Sequence, residues 1–150
     1  MRMHLTITHP YNPELGTGDG LDTVAVAAEA AGFAGVALTD HPRPAQRWLD
    51  AGGHDALDPF VGMGYAAART STLRLIPNIL VLQHRNRFEV AKSGATLDLL
   101  SGRRLTLAVG VGYLKREFAV LGVDFDERIG GSAYTVPSGR PASTIRRGRR

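Results

Sequence analysis

Met3 to Thr8 alternates polar and apolar side chains with β-branched content, which predicts a strand that stops at His9-Pro10. Tyr11 to Gly20, with Pro13 and three glycines, reads as a loop. From Leu21 to Ala31 the apolar residues Leu21, Val24, Ala28 and Ala31 recur at helical spacing, and Gly32 closes the helix they predict. A second strand, Gly35 to Leu38, ends at Thr39-Asp40-His41 and opens into a polar loop punctuated by Pro42, Pro44, Gly52 and Gly53. Asp58-Pro59 is a helix start with a mechanism, because aspartate caps free amides and proline at the first helical position gives up no hydrogen bond. That helix runs to about Thr70.

The apolar run Leu73 to Leu82 suits a strand buried on both faces, with an irregularity at Pro77, which cannot donate to a ladder. Arg87 to Leu100 returns to helical period, with Val90, Ala91, Gly94 and Leu97 on one face and Glu89, Lys92, Ser93 and Thr96 on another. Ser101-Gly102 ends it, since glycine supplies the left-handed cap. Leu105 to Val109 predicts a fourth strand, Gly110-Val111-Gly112 its exit, and Tyr113 to Leu121 a fourth helix. The order βαβαβαβα predicts an α/β fold with a parallel sheet and right-handed crossovers. Four units in 128 residues match the repeat length of an eight-fold barrel of about 250 residues, and amount to half of one. A complete doubly wound sheet of four or five strands is the alternative.

Apolar residues make up 43% of the 150 and charged residues 21%, an ordinary globular composition. The absence of cysteine removes a disulfide scaffold, a thiolate metal site and a cysteine nucleophile together. No window approaches a membrane span and the first ten residues lack a signal-peptide core, which predicts a cytoplasmic protein with no membrane partner. The net charge of +4 is misleading as a whole-chain value. Residues 1–128 hold 13 basic against 14 acidic side chains, whereas 129–150 hold five arginines, no acid, and nine Gly, Pro or Ser. The chain therefore divides into a domain over 1–128 and a tail over 129–150 too poor in apolar surface to order itself, and an arginine run with one aromatic, Tyr134, does not make a nucleic-acid site.

Ligands of parallel α/β folds sit at the carboxyl ends of the strands. There the chain places His9, then Thr39, Asp40 and His41, then Asn78, then Gly110, Gly112 and Tyr113. Asp40-His41 is the strongest local pair, because a neighbouring carboxylate can hold an imidazole in one tautomer for proton transfer; a plain turn before Pro42 accounts for the same residues. His4, His9, His41, His54 and His84 have no helix-spaced pairing, so no metal site is expected. Gly16-Thr17-Gly18-Asp19-Gly20 before a helix, with Asp40 some twenty residues on, imitates a nicotinamide dinucleotide fingerprint, although six residues separate it from the strand and its third glycine is one place early.

The stretch LRLIPNILVLQHRNRFEVAKSGATLDLLSGRRLTLAVGVGYLKREFAVLGV, from Leu73 to Val123, resembles the luciferase-like monooxygenase superfamily, most closely its branch of coenzyme F420 (deazaflavin)-dependent oxidoreductases. AEAAGFAGVALTDH, from Ala28, and LDPFVGMGYAAARTSTLRL, from Leu57, extend the resemblance to roughly residues 3–128. It implies a TIM barrel, of which this chain carries the N-terminal half. It implies hydride transfer between the reduced cofactor, F420 or alternatively FMN, and a small organic substrate. Asp40 and His41 would line the ring, Asn78-Ile79 would form a bulge with a non-proline cis peptide behind it, and Gly110 and Gly112 would let the ring edge approach. Tyr113 would face the substrate, where some relatives carry a catalytic acid; His9 completes the expected cofactor contacts, and His41 with Asp40 the catalytic pair. The abrupt change of composition after Arg128 reads as a truncated or frameshifted continuation. Half a barrel has open edges, so a catalytically dead remnant that self-associates across them is the competing expectation, and a nicotinamide dinucleotide-binding module the third.

Overall fold

The computed structural model describes residues 3–7 and 13–131. Strands β1 (His4–Ile7), β2 (Gly35–Leu38) and β3 (Arg74–Pro77) form a parallel sheet in that order. A second parallel pair, β4 (Leu80–Val81) with β5 (Val109–Gly110), follows, and a bridge between Leu75 and Leu105 runs alongside β3. The helices are α1 (Gly18–Ala30), α2 (Gln46–Asp50), α3 (Pro59–Arg69), α4 (Arg87–Leu100), α5 (Lys115–Val120) and α6 (Arg128–Gly131), with single 3-10 turns at Pro13–Gly16 and Leu82–His84. The predicted parallel α/β order is therefore present.

The register explains why the strand ends meet. His4, Gly35 and Arg74 stand side by side at one end, and Ile7, Leu38 and Pro77 at the other, so the three chains leave the sheet at one level. Gly35 is needed at the near end, because a Cβ there would come within 2.6 Å of the Arg74 carbonyl oxygen. All four residues of β2 are buried, as a central parallel strand covered on both faces requires. Val36 and Leu38 pack with Leu21, Ala25 and Ala28 of α1, Met63 and Ala66 of α3, and Leu73, Leu75 and Leu97. Small residues on α1 and α3 let both helices lie close to the strand, and the core sits beneath the level at which the strands end.

Local chemistry sets the boundaries. The Asp58 carboxylate accepts from the amides of Phe60 and Val61, with Pro59 in the first turn, as its sequence predicts. Asn86 caps α4, which spans the predicted Arg87–Leu100 and closes at Gly102 with φ +70°. Three expectations need correction. The run from Leu73 is two short strands rather than one; the expected irregularity at Pro77 and the expected cis peptide at Asn78-Ile79 are both present at the break. The loop after His41 contains α2, and the predicted fourth strand pairs only at Leu105 and at Val109–Gly110. Residues 128–131 form α6; the remainder of the expected tail and His9 lie outside the described residues.

Two ionic ties fasten loops to this frame. Near the end of α1 the Glu29 carboxylate accepts from the amides of Ser71, Thr72 and Leu73 and from the Thr72 hydroxyl, at 2.6 to 3.1 Å. Burial works against its charged form, but these donors outweigh it and hold Glu29 at about 2, below its ordinary 4.5. At the opposite end, Arg85 spans two acids. Its Nη2 donates to Asp40 Oδ1 at 2.7 Å and its Nη1 to Asp58 Oδ2 at 2.8 Å, joining the end of β2 to the cap of α3.

Glu29→Gln should lower the unfolding free energy by about 1 to 2 kcal/mol at pH 7, measured by urea denaturation. Because the folded-state value is depressed, the carboxylate's contribution is complete above pH 4.5 and is lost as pH falls through about 2, so the difference between the two proteins should shrink across that window. Arg85→Met should cost more, about 3 kcal/mol, since it strands the Asp40 side chain, 1% exposed, without its cation. An equal urea midpoint for wild type and Arg85→Met would contradict this account of the tie.

Candidate functional site

Beyond the strand ends, a cleft of about 130 Å³ is lined by Thr39, Asp40 and His41, by Asn78 and Ile79, and by Gly112, Tyr113 and Glu117, with His54 and His84 contributing. A neighbouring cleft of about 280 Å³ shares Asp40, His41 and His84 and is closed by Asp55, Asp58 and Arg85. The structure thus brings together six predicted residues: Asp40, His41, Asn78, Ile79, Gly112 and Tyr113. Drug-sized pockets run to several hundred Å³, so the smaller cleft has the dimensions of one wall of a ligand site.

The expected Asp40–His41 partnership is not what forms. Asp40 turns inward, 3% exposed, where both oxygens are occupied: Oδ1 by Arg85 Nη2, and Oδ2 by the Val81 amide at 3.2 Å and Arg85 Nε at 3.3 Å. It fastens β4 to β2. Consecutive side chains at a strand end point to opposite sides, so the neighbour in sequence is not the neighbour in space. The carboxylate that meets His41 comes from α5. Glu117 Oε2 lies 3.2 Å from His41 Nδ1, and Glu117 Oε1 accepts from the Arg43 amide at 3.1 Å. Glu117 is buried, its side chain 2% exposed, and His41 is half-buried, its side chain 9% exposed.

Around His41 stands a group of rings. Trp48 of α2 lies 4.9 Å away between centroids, His54 4.8 Å away edge-on, and Tyr113 6.1 Å away. A Cβ on Gly53 would run into the Trp48 indole, so glycine there lets the loop fold under the ring. His54 Nδ1 is 3.2 Å from the Asp55 carbonyl, and burial pulls the His54 pKa down. His84 is also shifted down, first by burial and against the pull of the Glu117 and Asp40 carboxylates, so it is neutral at pH 7; its ring meets Phe118 edge-on at 4.5 Å.

The glycines serve protein packing. A Cβ on Gly110 would collide with the Ile79 side chain, and Gly110 does not line the cleft. Gly112, at φ +74°, leaves room for Phe118 and Val81, which a Cβ would approach to 2.9 and 3.0 Å. In the glycine-rich loop, Thr17 caps α1 by accepting from the Gly20 amide, and a Cβ on Gly20 would strike the Glu14 carbonyl. That spacing is thereby accounted for by the join between the Pro13–Gly16 turn and α1.

Thr39 Oγ1 and both ring nitrogens of His84 are buried with no hydrogen-bond partner among the described residues. Buried polar atoms are nearly always paired, so unpaired ones on the wall of a cleft are suited to a ligand's polar edge. No group of acids, histidines or cysteines among the described residues is placed to hold a metal ion, and no described helix is long and apolar enough to cross a membrane. Sequence reasoning missed Glu117, His54, His84 and Trp48. Only Glu117 left a usable signal: it shares the apolar stripe of Leu114 and Leu121, where a charge is out of place unless paired.

The chain is 39% identical over 106 residues to an F420-dependent glucose-6-phosphate dehydrogenase of Beutenbergia cavernae, a match covering 68% of this chain and 29% of that protein. Among solved structures, a monooxygenase from Streptomyces bottropensis superposes with TM-score 0.72 at 24% identity, over 87% of this chain and 39% of that one. The FMN-bound oxygenating component of 3,6-diketocamphane monooxygenase from Pseudomonas putida superposes at 0.71 with 17% identity, over 89% and 38%. The chain spans between about a quarter and three tenths of the length of the curated relatives it matches. The luciferase-like monooxygenase profile matches residues 3–133, and the chain belongs to that family.

Proposed function

We propose that residues 1–128 are the N-terminal half of a TIM barrel and carry one wall of the active site of a flavin- or deazaflavin-dependent oxidoreductase, with coenzyme F420 the first candidate and FMN the second. The observation that carries this is His41, held against Glu117 at the edge of a cleft whose wall includes the unpartnered Thr39 hydroxyl and His84 imidazole. The F420 and FMN named for related proteins agree with it. Bound there, the cofactor supplies a ring carbon that gives or takes hydride. Ile79, 39% exposed, offers an apolar face, while Thr39 and His84 supply a hydroxyl and a neutral imidazole for the ring's polar edge. His41 takes or returns the proton that accompanies the hydride on a small organic substrate, and Tyr113, 63% exposed, faces that substrate. Asp40 holds the wall together and performs no proton transfer, both its oxygens being occupied. His9 stays a proposed cofactor contact, and residues 129–150 a proposed tail to the domain.

A second reading has its own support. Val109 of β5 is 50% exposed, and Leu107 and Val111 beside it 36% each, an apolar edge suited to pairing with a second copy. In that reading the chain is a self-associating remnant without turnover.

Titration with F420 and with FMN, followed by cofactor fluorescence, should give saturable binding of one of them, and His41→Ala should weaken it by about tenfold, or about 1.4 kcal/mol. Binding indifferent to His41→Ala would remove the site assignment. Sedimentation equilibrium decides the second reading: a dimer or larger species that Val109→Asp returns to monomer supports it, and a monomeric wild type ends it.

A further inference from the structure

We infer that Glu117 is a positioning residue for His41, holding it as the Nδ1–H tautomer and leaving Nε2 as the ring's proton acceptor in the cleft. The inference rests on the proposed role of His41, but its geometry does not depend on any cofactor. Glu117 sits in the first turn of α5, 76 residues beyond His41, and its side chain is 2% exposed. A carboxylate has only acceptors, so the contact at 3.2 Å between Oε2 and His41 Nδ1 requires the proton on Nδ1. Histidine in water favours the other tautomer, and the protein therefore selects this one. The second oxygen is committed to the Arg43 amide at 3.1 Å, which fixes the carboxylate at both ends. Asp40 is unable to substitute, since Arg85 and Val81 occupy it. Trp48, His54 and Tyr113 touch the imidazole as rings and hold its plane.

Two donors on one carboxylate make Glu117→Gln a sharp test. Glutamine keeps the size and shape but has one acceptor oxygen and one NH₂ group. The Arg43 amide can only donate, so the glutamine oxygen stays with it and the NH₂ turns to His41 Nδ1. Nδ1 must then accept, and the proton moves to Nε2. Glu117→Gln should therefore keep the fold and invert the tautomer.

The readout is long-range proton–nitrogen correlation NMR of the ¹⁵N-labelled full chain, above the histidine titration range, with the His41 signals identified by their loss in His41→Ala. Wild type should show the Nδ1–H pattern, Glu117→Gln the Nε2–H pattern, and Glu117→Ala the mixture dominated by Nε2–H that free histidine adopts. An Nε2–H pattern in wild type, or an Nδ1–H pattern surviving in Glu117→Gln, overturns the proposal. The wild-type spectrum alone is sufficient to do so if a variant does not fold. No cofactor enters this measurement, so a failure to bind F420 or FMN leaves the tautomer result standing and vice versa. With turnover in hand, Glu117→Gln should lower kcat by at least a hundredfold with little change in KM, as loss of a tautomer-setting carboxylate does elsewhere.

Discussion

The buried carboxylate of Asp40 constrains everything above the sheet. A charge at 1% exposure persists only if it is paired, and its partners here come from two places: Arg85 beyond the Leu82–His84 turn, itself held by Asp58 at the start of α3, and the Val81 amide in β4. Satisfying that charge fixes where the chain goes after the break at Asn78-Ile79, and so where Ile79 and His84 come to lie. The same tie frees His41 to point elsewhere. Asp40 and His41 thus divide two tasks between adjacent residues, one anchoring the wall and the other, in the proposed function, carrying chemistry at its edge.

That division marks where sequence reading worked and where it ran out. Local rules located α4 to the residue and the Asp58-Pro59 start of α3, because capping and the helical period act within a few positions. The parallel order was legible for the same reason, as a succession of local elements. Within the site, Thr39, Asp40, His41, Asn78, Gly112 and Tyr113 were found by asking what stands at strand ends, and Ile79 by the family resemblance. The partner of His41 was not, since a contact across 76 residues leaves no local trace beyond a glutamate on an apolar stripe. Trp48 was hidden in a loop whose prolines and glycines concealed the five residues of α2. His84 had no periodic context at all.

The glycines teach a related lesson. Gly110 and Gly112 were read as room for a ligand, yet the space beside them is taken by Ile79, Phe118 and Val81. A glycine reports that something approaches the backbone closely, and cannot say whether it is ligand or protein. Gly20 in the dinucleotide-like loop is the same case, its missing Cβ making way for the Glu14 carbonyl. Three glycines and a distant acid therefore reproduce a fingerprint without its cause, which is a strand turning directly into a helix beneath a pyrophosphate.

The unpartnered polar atoms separate the cleft from a mere depression between loops. A loop junction evolved only for packing would bury Leu or Val where Thr39 and His84 stand, since an unsatisfied hydroxyl or imidazole costs about 1 to 3 kcal/mol each. Both residues line the cleft that His41, His54, Tyr113 and Glu117 also line. Unpaired polar groups beside a histidine that is carefully paired are the observation on which the proposed ligand wall rests, since packing alone gives no reason for Thr39 and His84 to go without partners.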